Sequence, residues 1–315
     1  MDIDVFPAKD LGTVFSVLRT ALRHSGKLTP RERLFLATYA RISGYALPEA
    51  DPIALIAAEV HIDGAHQRKR LLQLAGLAAL FNKPVSAGSA QFLRELSWHL
   101  DTRDSVVDVV DAVDKGRRFR ARMLATTRVM RMMVKEQYLS GGAAGVLRFF
   151  GAMLFGVAVD RNKHRQYRKL SLLPEGTFGR EYWKHMTEIG FGFPGEPGGI
   201  PDGAAFHDLG HVLAANDTTP LGEIQQGSFQ GGNRREDGFA FVQFAVLHFH
   251  QGIQVTPVAP AETGNFHPEK VLWAIHRGAK CRVDTTHQWN FWPLMSLPIE
   301  EARAKCGLLP KLASA

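Results

Sequence analysis

The stretch FHDLGHVLAANDTTPLGEI, residues 206 to 224, sets two histidines, two aspartates and a glutamate within nineteen residues. Read as a helix, AAFHDLGHVLAAN places His207 and His211 four residues apart, one above the other on a single face. Asp208 adjoins His207 and precedes His211 by three, so the three side chains form one patch. The spacing predicts that this helix stops near Asn216. A second helix should begin with Thr219 as N-cap and Pro220 at its first position, which sets Glu223 one turn in. Residues 211 and 223 are equidistant from residue 217, so a hairpin turning there brings Glu223 level with His211. Two imidazoles and two carboxylates then converge, a donor set that suits zinc first, or another first-row divalent ion. His207, Asp208, His211 and Glu223 are therefore expected as metal ligands and as the catalytic group. Asp217 is assigned to turn chemistry instead.

Each residue alone has a plainer reading. A single histidine on an apolar helix face is ordinarily a hydrogen-bonded core residue, and a glutamate near a helix start complements the helix dipole. Convergence of all four is what points to a metal. A binuclear His-Asp hydrolase is the alternative chemistry, drawing further ligands from His248, His250, His267, His276 and His287. His248 and His250, two apart, diverge on a helix, which counts against both binding one ion. No phosphate-binding glycine loop, nucleophile elbow or H-E-x-x-H protease motif is present.

The elements that must position these residues read as helices throughout, an all-α chain. LTPRERLFLATYARISGY carries Thr29 as a cap and Pro30 at the first helical position. GAHQRKRLLQLAGLAALF and SAGSAQFLRELSWHL continue the helical period. Three units follow: a small helical domain over 1–104, expected to fold independently; a connector over 105–164; and a helical metal-binding domain over 165–315. The last opens at LLPEGTFGREYWKHM, with Thr177 as a cap.

The 315 residues carry a net charge of +7. From Lys115 to Lys135 eight basic residues occur with no acidic one, and Arg161, Lys163, Arg165, Arg168 and Lys169 form a second block. Between them lies GGAAGVLRFFGAMLFGVAV, residues 141 to 159, interrupted by Arg148 and short of a confident membrane span. The basic blocks with interleaved Met123, Val129, Met130, Met133 and Val134 fit either a membrane-surface helix or a solvated helix covering its own core contacts. Aromatic residues are not interleaved for base stacking, so nucleic acid is not an expected partner. Two cysteines and the absence of a targeting pattern in MDIDVFPAKD suggest a reduced, cytoplasmic setting.

Two resemblances bear on these expectations. SGKLTPRERLFL and FNKPVSAGSAQFLREL, each a loop followed by a helix, resemble the TerB-like helical domains of tellurite resistance. Lys27, Asn82 and Lys83 stand where that family has acidic residues, so no metal is expected in this half. The spacing His207, Asp208, His211, then Glu223, with LPEGTFGREYWKHM, LGEI and NFWPLMSLPIEEARAKCGL as flanks, resembles the fourth coenzyme Q biosynthesis protein family over residues 165 to 312. That resemblance implies an all-helical fold, a divalent metal usually taken as zinc, and peripheral attachment to the inner membrane. It also implies a lyase-type activity: oxidative decarboxylation of a polyprenylated hydroxybenzoate in ubiquinone synthesis. Implied partners are a polyprenyl or quinone-like lipid, an anionic membrane surface, other enzymes of that pathway and a second copy of the chain. A lipid-binding scaffold with a structural metal is the other role it suggests.

Overall fold

The computed structural model describes residues 1–155, 160–200 and 204–311. Among these the chain is helical, and its only β pairings are two isolated bridges, Thr177 with Pro298 and Gln251 with Thr263. In order the helices are α1 (Ala8–Leu22), α2 (Pro30–Ser43), α3 (Ala65–Phe81), α4 (Ala87–His99), α5 (Ser105–Asp114), α6 (Arg118–Phe155), α7 (Arg161–Arg168), α8 (Phe178–Ile189), α9 (Ala205–Ala214), α10 (Pro220–Asn233), α11 (Phe239–Phe249), α12 (Pro268–Lys280) and α13 (Ile299–Cys306). The start signals read from sequence hold. Thr29 caps α2 in a full capping box with Glu32, and Thr177 and Thr219 cap α8 and α10.

One apolar core runs from the N-terminal helices into the C-terminal half. It joins Phe15, Phe35, Tyr39, Leu77 and Phe81 to Ile224, Val246, Phe266, Leu272 and Ile275. Polar contacts follow the same seam. Arg31 donates to the Phe266 carbonyl at 3.0 Å, and His250 Nε2 donates to the Phe81 carbonyl at 2.9 Å. The core thus crosses the boundary expected at residue 104 without a break. A second core packs α8, α9 and α13 around Tyr167, Phe178, Tyr182, Met186, Leu209 and Leu213.

Helix α10 lies between α9, α11 and α12, which explains its composition. A Cβ on Gly232 would stand 2.0 Å from the Ile275 carbonyl oxygen, and one on Gly278 would stand 2.0 Å from that of Phe229. Only glycine lets α10 and α12 approach this closely. The same closeness buries α10 from Gln226 to Asn233, polar residues included.

The region expected as a connector is mostly helix. α6 bends at Gly142, whose φ of 59° and ψ of −155° break the helix. Residues 156–159 of the apolar stretch lie outside the described residues. The first basic block is largely engaged within the protein. Lys115 pairs with Asp111, Arg120 with Asp108, Arg128 with Asp104 and Asp237, and Lys135 with Glu236, while Arg118 bonds the Gly252 carbonyl. Among the described residues no helix is long and apolar enough to cross a membrane.

Candidate metal centre

Helices α9 and α10 form the expected hairpin. α9 ends at Ala214, and Ala215 takes the left-handed conformation at φ 55°. Arg303 donates to the carbonyls of Leu213 and Val212 at 2.8 and 3.0 Å, and Arg277 to that of Ala214 at 3.1 Å. Two guanidinium groups thus satisfy the last carbonyls of α9 and fix its end. Asp217 accepts from the Thr219 amide at 3.0 Å, and Thr219 caps α10 by accepting from Gly222 N at 3.1 Å. The turn assignment of Asp217 agrees with this geometry.

The hairpin brings His207, His211 and Glu223 together, with donor atoms all within 4.8 Å of one another. The two Nε2 atoms are 3.2 Å apart. The Glu223 carboxylate spans them, one oxygen 3.4 Å from His207 Nε2 and the other 3.4 Å from His211 Nε2. Ligands held at 2.0–2.1 Å from a tetrahedral ion are separated by roughly 3.3–3.4 Å, so the triangle has the size such an ion requires.

Second contacts fix which nitrogens face the centre. His211 Nδ1 lies 3.1 Å from the Asn216 carbonyl oxygen, and His207 Nδ1 lies 3.1 Å from Gln230 Oε1. Both oxygens only accept, so each Nδ1 carries the proton and donates it. In the neutral rings both Nε2 lone pairs then face each other and a carboxylate, an arrangement that repels unless a cation or a proton lies between. This is the outer-shell pattern of metal-binding histidines. Asn216 Nδ2 also donates to Gln226 Oε1 at 3.0 Å, and Gln226 Nε2 to the His207 carbonyl at 3.2 Å. A Cβ on Gly210 would fall 2.1 Å from that Gln226 nitrogen, so the α9–α10 crosslink needs glycine there.

Without an ion, a proton does the bridging. Burial disfavours charge on His207, but the hydrogen bond to Glu223 outweighs it and pushes the imidazole up to about 9. Burial acts against the Glu223 carboxylate too, yet His207 and His211 hold it far below the usual carboxylate range. His211 is 1 % exposed, whereas the side chains of His207 and Glu223 are 39 % and 20 % exposed, so the centre opens on their side.

Asp208 is the correction to the expected ligand set. It is buried beside the centre and acts on His207 and His185 through its charge, but it is not in the group whose donor atoms converge. A helix advances about 100° per residue, so a side chain adjacent to His207 turns away from the face that His207 and His211 share. His185 of α8, which the sequence reading did not single out, stacks on His211 with ring centroids 5.5 Å apart. Its Nε2 is buried with no hydrogen-bond partner, and burial, followed by the charge of His211, keeps its pKa below the ordinary value. Phe178, Tyr182 and Met186 mark the buried face of α8, and His185 lies at the edge of that stripe.

The downstream histidines do not supply a second ion. His248 accepts from Val255 N and contacts the Ala259 carbonyl, and His250 accepts from Phe266 N while donating to Phe81. His287 pairs with Glu136, His276 packs on Trp273 and His267 precedes α12. Among the described residues no second group of metal ligands forms around them, so the binuclear alternative has no support there.

Compared with family models and with curated proteins, the chain matches none. The expected membrane-associated role in ubiquinone synthesis is withdrawn with its lyase, peripheral-membrane and TerB-like descriptions. No spanning helix occurs among the described residues, most of the basic block is paired internally, and no matched protein ties the chain to that pathway. What stands is an all-α protein with a His-His-Glu cluster able to chelate a divalent ion, zinc or another.

Proposed function

We propose that this protein is a divalent-metal-dependent enzyme whose ion is held by His207, His211 and Glu223. The observation that carries the reading is the 3.2–3.4 Å donor triangle with both Nδ1 protons already committed to carbonyl oxygens. A structural site closes around its ion with four protein donors, while a catalytic one keeps three and an open position. Here three converge among the described residues, and the partly exposed His207 and Glu223 leave a path for water or substrate. A bound divalent ion would serve as a Lewis acid toward water or a carbonyl or phosphoryl oxygen, the chemistry of ester, amide or phosphoester hydrolysis. The chain supplies the rest. Gln230 and the Asn216 carbonyl orient the imidazoles, Glu223 offsets charge, and His185, kept neutral by burial, stacks beside His211 as a candidate proton carrier.

Two histidines and one carboxylate are also the donor set of oxygen-activating ferrous sites, which supports a second reading as an oxidative enzyme. Reconstitution separates the two. The metal-free protein is loaded with zinc, cobalt, manganese or ferrous ion and assayed against ester and phosphoester substrates and for substrate-dependent oxygen uptake. Hydrolysis supported by zinc and lost in His211→Ala fits the first reading, and oxygen uptake with iron alone fits the second. Neither activity with any ion would refute an enzymatic role.

A further inference from the structure

We propose that the outward face of α6 is a docking groove for an acidic amphipathic helix of a partner protein. One side of α6 packs inward through Ala121, Ala125, Val129 and Met132, all buried. The residues that line an open groove of about 650 Å³ lie on the other side. They include Met123, Thr127, Met130, Val134 and Tyr138, spaced three or four apart along one stripe. Met123 is 46 % exposed and Tyr138 61 %, with Phe119 (73 %) and Leu139 (55 %) extending the apolar surface at either end. Residues 123 to 138 run about 22 Å along the helix, a track that fits a helix of four turns rather than a compact small molecule. Methionines suit such a surface because their flexible thioethers adapt to a partner.

Charge selects the occupant. Lys135 at the groove is neutralised by Glu236 at 2.7 Å, so the free positive charge there rests on two arginines. Arg131 lines the groove and Arg122 flanks it, both exposed and neither in an ion pair among the described residues. The nearest carboxylate along the chain, Glu136, is turned to His287 and Arg234. A second copy of the chain packed on this stripe would set Arg131 against like charge, which disfavours self-association. A helix with leucine at every third or fourth position and glutamate along its margins answers both features, the apolar floor and the cationic rim.

The test uses the full-length chain and three fluorescent 21-residue peptides: a Leu/Glu amphipathic helix, a scramble of the same composition, and a Leu/Lys counterpart. Anisotropy should show saturable binding of the first alone, weakened by salt and reduced at least about tenfold by Arg131→Glu and by Met130→Glu. Arg131 is exposed, so its variant keeps the fold whatever Met130→Glu does, and thermal melts confirm it. Several results would overturn the proposal. They are equal binding of the scramble, indifference to both substitutions, Met130-dependent dimerisation without peptide binding, and Arg131-dependent sedimentation with anionic vesicles without peptide binding.

Discussion

Replacing Gln230 with leucine isolates the outer contact that holds a proposed ligand in place. Gln230 is 1 % exposed, and its Oε1 accepts the proton of His207 Nδ1 across 3.1 Å. Its Nε2 has no partner, so leucine removes an unsatisfied buried donor together with the acceptor, at similar volume. The His207 Nδ1 proton loses its acceptor, so the metal-free fold should lose at most about 1–3 kcal/mol, offset in part by removal of the unsatisfied amide. The ring of His207, however, loses both its tautomer bias and its orientation. Removing such a contact lowers metal affinity by about 10–100-fold, which is about 1.4–2.7 kcal/mol. The lower end applies if only one hydrogen bond, worth about 1 kcal/mol, is lost. Gln230→Glu keeps the acceptor and adds negative charge, so its affinity should equal or exceed that of the wild type. Competition against a chromogenic chelator gives the affinities, and thermal melts of the metal-free proteins give the stabilities. Unchanged affinity in a folded Gln230→Leu variant would refute the reasoning, as would an equal loss in Gln230→Glu.

Metal uptake should depend on pH because His207 must give up its proton. Its pKa of about 9 in the metal-free fold means affinity rises with pH up to about 9 and then levels. Calorimetry at pH 8 in two buffers of different ionisation enthalpy should show release of about one proton, and none would contradict the reading. That pKa lies above the ordinary 6.5 and that of Glu223 below the ordinary 4.5, so the proton-bridged pair stabilises the metal-free fold fully between about 4.5 and 6.5, and the contribution fades as pH rises through about 9 or falls well below 4.5. Arg128→Met should cost about 3–5 kcal/mol, because it leaves the Asp104 carboxylate, 1 % exposed, with hydrogen bonds from Gln73 and Val106 but no countercharge, whereas Arg120→Met, in an exposed pair, should cost under about 1 kcal/mol. Urea unfolding compares them, and equal losses would contradict the assigned roles. A fragment of residues 1–104 should show no cooperative melt, since Phe35 and Phe81 pack on Phe266; a sharp transition would show that the N-terminal helices suffice.

The register of the hairpin was legible because caps and turns are local. Thr219, Pro220 and Asp217 fix where α10 begins, and counting outward from the turn pairs Glu223 with His211. Asp208 misled because sequence adjacency looks like proximity, while helical geometry sends neighbours to different faces. His185, Gln226 and Gln230 reach the centre through packing of α8 and α10, which no local period reports. The basic block misled for the same reason. Its acidic partners Asp237 and Glu236 lie about a hundred residues further on, invisible to any window of sequence.

Crystals grown with zinc or cobalt and measured on both sides of the metal absorption edge test the central claim most directly. The account predicts one anomalous peak, roughly 2.0–2.2 Å from His207 Nε2, His211 Nε2 and a Glu223 oxygen. A peak elsewhere on the chain, or none at this triangle in metal-saturated crystals, would contradict it.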